Sequence, residues 1–175
     1  MEMTRVTDYL AADHVRLHAL VEKAAGGGGG GFDARAFEEL RGGLLRHIGI
    51  EEKLLFPAAR RARGGEPLAR AHALRIEHAA LTSLMVPTPD AALCAEIAGL
   101  LAAHDAVEEG PDGVYAECEA LLSSEESARL AAEAAAYPAV PVARHFDGAG
   151  TYRTAAAALE AARRMKRARA AEERP

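Results

Sequence analysis

Cysteine is scarce in this chain. Cys94 and Cys118 stand far apart and belong to no C-x-x-C pair, which excludes a disulfide framework and a thiolate metal cage. They read as small buried or half-buried helical residues, with redox sensing as the other reading. Long apolar runs are also missing. None approaches the roughly 18 residues a membrane span needs, and the mixed, acidic start is no signal peptide, so a cytoplasmic protein without a membrane partner is expected. β-Branched residues are few and Thr-, Val- and Ile-rich alternating runs are absent, which leaves no strand to predict. A strong charge of one sign is lacking too. The net charge is −5, with acids interspersed among arginines, and this argues against a nucleic-acid partner.

What remains is a chain dominated by alanine and leucine, half of it apolar, long enough for one core plus accessory helix. Its apolar residues recur at the alternating three-and-four spacing of a helix-bundle seam. The first helix, starting after Thr4 or Thr7, carries Leu10, His14, Leu17 and Val21 on that seam. Gly26 to Gly31 then form a flexible connection, since each Gly costs a helix about 1 kcal/mol relative to Ala. A second helix, capped by Asp33, has the seam Leu40, Leu44, His47, Glu51, Leu54, Ala58. Pro57 should distort it just past Glu51, and Gly64-Gly65 should stop it. A third, from about Pro67, presents Leu74, His78, Leu81 and Met85. The fourth, with Thr88 as cap and Pro89 at its first position, presents Leu93, Ile97, Leu100, His104 and, one turn on, Glu108.

Each of these helices thus carries an inward histidine, and two of them open a His-x-x-x-Glu pair, His47 with Glu51 and His104 with Glu108. Residues four apart share one helix face, so each pair aims an imidazole and a carboxylate at one point. The spacing by itself is weak, because about one such pair is expected by chance in a helical chain of this composition. His18 with Glu22 is a third pair, one turn on from His14 and about 40° round the helix, at the edge of the apolar stripe. The combination is more specific. Four imidazoles and two carboxylates inside one bundle would each cost several kcal/mol to desolvate without partners, whereas one or two metal ions satisfy them together.

The segments Asp13-His14, His47-Ile-Gly-Ile-Glu51-Glu52-Lys-Leu-Leu-Phe56-Pro57, Glu77-His78 and His104-x-x-x-Glu108-Glu109 resemble the hemerythrin-like, HHE cation-binding domain, over residues 4–122. The resemblance implies an all-α, up-down four-helix bundle around two non-haem iron ions. It implies that His14, His47, His78 and His104 are terminal ligands and that Glu51 and Glu108 bridge. Six ligands with two bridging carboxylates leave each iron short of the six donors it commonly takes, so open positions can accept an oxo or hydroxo bridge, water, O2, NO or peroxide. Oxygen-carrying relatives have a further histidine. Here the positions one turn from His78 are Leu74 and Thr82, which speaks against stable O2 carriage; His18 is the candidate extra ligand, and His72 lies off the seam. Glu52 and Glu109 either face solvent or orient a ligand imidazole.

The family often continues past the last ligand with a Leu-Phe-Pro helix, but this chain reads Gly110-Pro111-Asp112-Gly113-Val114-Tyr115. The helix should break there. Tyr115 is then either a packing residue or the candidate catalytic residue, hydrogen-bonding a bound oxygen species or passing electrons. Beyond the bundle of residues 1–122, residues 123–175 form a helical extension packed on or tailing from it. Ser123 and Glu126 make a capping box for a helix to about Tyr137. A final helix capped by Thr151 or Thr154 carries Arg163, Arg164, Lys166, Arg167 and Arg169, as a solvated, partly frayed end or as a surface for an acidic protein partner. His145 as a lid has no support from spacing. Two functions are expected. One is a di-iron protein binding or sensing O2, NO, peroxide or iron. The other is a di-iron oxidoreductase acting on a small substrate held under the extension near Tyr115. A helical protein with zinc or no metal is the plain alternative.

Overall fold

The computed structural model describes residues 5–27 and 29–172, and among them no strand occurs. The helices are α1 (Val6–Ala24), α2 (Ala34–Ile50), α3 (Phe56–Ala62), α4 (Ala71–Leu84), α5 (Ala91–Glu109), α6 (Val114–Leu121), α7 (Ser124–Ala135) and α8 (Ala155–Glu172), with a π-helical segment, Glu51–Leu55, joining α2 to α3. Helix α1 packs beside α2 and α5, and α4 packs beside α5 and α2, so α1 faces α4 and α2 faces α5 across the bundle axis. None of the helices is long and apolar enough to cross a membrane.

The apolar core is in two parts. Leu17, Val21, Phe37, Leu40, Leu44, Leu81, Leu84 and Ile97 fill one end, while Val6, Leu10, Ile50, Leu55, Phe56, Leu74 and Tyr115 belong to the other. His14, His47, Glu51, His78, His104 and Glu108 are buried as well. Along α1 the order is Leu10, His14, Leu17, and along α4 it is Leu74, His78, Leu81, so the polar residues form a layer between the two apolar halves.

Local chemistry explains most boundaries, and tertiary contacts explain the rest. Asp33 caps α2, its carboxylate accepting from the Ala36 N–H at 3.0 Å. Helix α1 begins at Val6 with Arg5 as its cap position; Thr7 is helical, and Thr4 lies outside the described residues. Pro57 acts through the π-helical segment, in which the Phe56 N–H reaches back to the Glu51 carbonyl. The extra residue in that turn shifts the seam by one position, so Leu55 is buried and Leu54 is half-buried. Helix α4 starts at Ala71 rather than Pro67, because the Glu117 carboxylate of α6 accepts from the Ala69 N–H at 3.2 Å and holds that stretch in a turn. Thr88 does not cap α5. Its N–H and hydroxyl both donate to Asp147, at 2.8 and 2.6 Å, and Asp90 caps the helix by accepting from Leu93 at 2.8 Å.

Helix α5 ends at Glu109, as the Gly110-Pro111 break requires, and the chain turns back at once. A Cβ on Gly113 would come within 2.3 Å of the Glu108 carbonyl, so this return depends on glycine. It starts α6, whose Val114, Tyr115 and Cys118 are buried. Ser123 caps α7 through the Glu126 N–H, at 3.2 Å. Helix α7 lies across α1 and the π-helical segment; Arg46 of α2 donates to the Ala134, Ala135 and Tyr137 carbonyls at its end and to the Tyr9 hydroxyl. Helix α8 is docked along α4, with Ala158 and Ala162 in the core and small enough for close approach. Its Arg163, Arg164, Arg167 and Arg169 are exposed. Arg46→Ala removes charge-assisted bonds to the carbonyls at the end of α7 and to Tyr9, and is expected to lower stability by about 2 kcal/mol in chemical denaturation.

Candidate metal centre

The layer between the two apolar halves is built from one histidine on each of α1, α2, α4 and α5, with Glu51 and Glu108 between them. All six side chains are almost completely inaccessible. His14, His47, Glu51 and Glu108 each offer a ligand atom within 4.8 Å of the others, and so do Glu51, His78, His104 and Glu108. The two groups share both glutamates. Glu108 lies 3.3 Å from His14 Nε2 and 3.2 Å from His104 Nε2, and Glu51 lies 3.5 Å from His47 Nε2 and 3.2 Å from His78 Nε2.

Each histidine turns its other nitrogen, Nδ1, to a carboxylate on an adjacent part of the bundle. Asp13 of α1 holds His47 at 3.0 Å, and Glu52 of the π-helical segment holds His78 at 2.8 Å. Glu77 of α4 holds His104 at 2.7 Å, and Glu109 of α5 holds His14 at 2.5 Å. The four links close a ring around the bundle, α1 to α2, α2 to α4, α4 to α5 and α5 to α1. A carboxylate at Nδ1 fixes the proton there and leaves Nε2 as an inward lone pair. The consequence is clearest where His78 Nε2 and His104 Nε2 face each other at 3.2 Å. Two lone pairs at that distance repel unless a proton or a cation lies between them. His47 Nε2, Glu51 Oε2 and both Glu108 oxygens are buried without a hydrogen-bond partner, and metal coordination is the interaction that satisfies nitrogen lone pairs and carboxylate oxygens together. The donor set therefore fits a cation.

The imidazoles and carboxylates of the layer also shift one another's ionisation. Burial opposes charge on every group, yet the Glu51 carboxylate outweighs it at His47, raised from 6.5 to about 10, and Glu108 outweighs it at His104, raised to about 9. Burial and the Glu108 charge likewise oppose ionisation of Glu51, but His47 and His78 bring it down to about 2. Asp105 is held up by burial, despite His14 and His18, and the Tyr115 hydroxyl is held far above its usual range by burial and by the Glu51 and Glu108 charges.

The remaining sequence candidates fall around this centre. His18 joins neither group; its side chain is part-exposed, and Nε2 pairs at 2.7 Å with Asp105, whose other oxygen lies 3.5 Å from His14 Nε2. His72 is exposed. His145 binds Glu38 at 2.7 Å, beside Arg41 and Val86, and none of its contacts is with the centre. Tyr115 does reach it, with its hydroxyl donating to Glu51 at 2.6 Å. Both cysteines are buried and free. Asp13, Glu77 and Asp105 carried no assigned role in the sequence, although an acid next to a seam histidine or glutamate on every bundle helix was a visible signal.

Fold and centre together define a helical-bundle protein with an internal cation site. The model of the hemerythrin HHE cation-binding domain matches residues 5–110, more than half of the chain, which therefore belongs to that family. No curated protein and no solved structure matches it.

Two outcomes are expected. Imidazoles raised above their unfolded value of about 6.5 stabilise the fold fully below that value, and the stabilisation is lost as pH rises through the folded values. The melting temperature of metal-free protein should therefore fall between pH 6.5 and about 10, the range set by His47, whereas metal-loaded protein, with neutral imidazoles already bound, should not show this fall. Glu52→Gln and Glu77→Gln should each weaken metal retention about 10- to 100-fold in chelator competition, with helicity unchanged.

Proposed function

We propose that the centre holds two iron ions, one among His14, His47, Glu51 and Glu108 and the other among Glu51, His78, His104 and Glu108, and that the protein binds or senses a small ligand there. The ligand is O2, NO, hydrogen peroxide or iron itself. The observation that carries this reading is the sharing of both glutamates by two four-donor groups: one ion would leave half of the buried imidazoles without a partner. Four protein donors per ion leave room for an external ligand.

When bound, iron supplies redox-active, Lewis-acidic positions for that ligand. The protein's own contribution is placement and exclusion. Its carboxylate ring holds each Nε2 inward, its two apolar halves keep bulk water from the layer, and Glu51 and Glu108 tie the two donor groups together. An open surface pocket between α1 and α5 is lined by His14, Val15, His18, Asp105, Ala106 and Glu109 and lies on the outer side of the centre. The absence of a further histidine beside His78 favours sensing or buffering over reversible O2 carriage. Free, buried thiols accord with a cytoplasmic location, and the exposed arginines of α8 are available to an acidic protein partner.

The second reading, a di-iron oxidoreductase, is favoured by the Tyr115 hydroxyl against Glu51. Anaerobic reconstitution with Fe(II), metal counting, and absorption spectra on adding O2, NO and peroxide separate the two. Two irons per chain and a spectral response without turnover are expected, with His47→Ala and His104→Ala each losing iron. Sustained oxidation of an added reductant would support the oxidoreductase, and wild-type protein that retains no iron would sink both readings.

A further inference from the structure

Tyr115 lies beyond the residues that match the family model, on the helix that the Gly110-Pro111 break turns back toward the centre. Its side chain is 5% exposed. The hydroxyl oxygen is 2.6 Å from Glu51 Oε1 and 3.4 Å from His14 Nε2, and the ring is stacked on that of His14, with centroids 5.8 Å apart and planes inclined by 8°. Oxygen and nitrogen donors bound at right angles, each about 2.1 Å from one transition-metal ion, stand about 3 Å from each other. Both contacts of the Tyr115 oxygen bracket that spacing, and both partners belong to the same four-donor group. Asp105 approaches the group less closely, at 3.5 Å from His14 Nε2, with its second oxygen engaged by His18.

We propose that Tyr115 is a seventh protein ligand, its phenolate oxygen binding the ion held by His14, His47, Glu51 and Glu108. The proposal rests on the di-iron reading and adds to it. Coordination breaks the phenolic O–H bond, forms an oxygen–metal bond and releases one proton to solvent. The two ion positions become unequal, with five protein donors at one and four at the other, so the His78–His104 position keeps more room for an external ligand. The helix break after Glu109 acquires a purpose, since a continuous α5 would carry Tyr115 past the centre.

Phenolate bound to ferric iron gives a visible charge-transfer band that carries resonance-enhanced tyrosinate ring vibrations; an oxo bridge can also absorb in the visible, but it and the His and Glu ligands give no such ring vibrations. The experiment compares iron-counted ferric wild type with Tyr115→Phe. Band and vibrations in wild type, lost in the variant at equal iron content, are the expected result. Iron-loaded wild type without them, or a variant that keeps them, overturns the tyrosine ligand and leaves the di-iron reading standing; wild type that retains no iron overturns both. If Tyr115→Phe fails to fold or to keep iron, wild type grown with ring-deuterated tyrosine decides between the same outcomes, because only a bound phenolate gives isotope-shifted modes. Tyr9→Phe is the control that must retain them, since the Tyr9 hydroxyl is engaged by Arg46 at 2.9 Å.

Discussion

Six ionisable side chains buried in the middle of a small bundle are the constraint on which the remaining structure depends. Taking a carboxylate or an imidazolium out of water costs several kcal/mol, and the cost is tolerable only where opposite charge and good geometry surround it. Here the compensation is layered. Glu51 and Glu108 lie among four imidazoles, and each imidazole is backed by a carboxylate on its far side. Because every backing carboxylate comes from a different part of the bundle than the histidine it serves, the ring also fixes the rotation of each helix against its neighbour. Apolar packing above and below the layer tolerates small shifts; the ring of hydrogen bonds does not.

The same constraint accounts for features that look like departures from regular helix. The π-helical segment starts at Glu51, which regular helix already places on the face of His47, and its neighbour Glu52 reaches His78; the one-residue slip turns the residues that follow. The end of α5 at Glu109 follows directly on the two acids that the centre uses, and the return through Gly113 places α6 against it. Helix α7 then covers α1 and the π-helical segment, tied by Arg46 and by the Ser127 hydroxyl, which accepts from the Val6 N–H at 3.1 Å. The C-terminal residues thus brace the bundle at both ends of the layer, α7 on one side and α8 along α4 on the other.

Much of this was legible in the residues. The seam positions of His14, His47, His78 and His104, the Asp33 and Ser123 caps, the disturbance near Pro57 and the break at Gly110-Pro111 all follow from local rules that operate within one turn of helix. The misreadings share a cause. Thr88 is a good cap in isolation but is claimed by Asp147, and Pro67 is a good first residue but its stretch is held by Glu117; the α8 arginines are solvated, as their charge predicts, but its alanines give no hint of the α4 surface they meet. In each case a residue distant in sequence competes with, or adds to, the local preference.

The sequence by itself determined that the chain is helical, which side of each helix faces inward, and which residue types meet at the centre. Those are consequences of a 3.6-residue repeat and of the energetic penalty on unpaired buried charge. Only the tertiary structure decided which carboxylate backs which histidine, that His18 turns to Asp105, and that Tyr115 reaches Glu51. These pairings depend on the axial register and rotation of separate helices relative to one another, which no spacing along a single helix encodes.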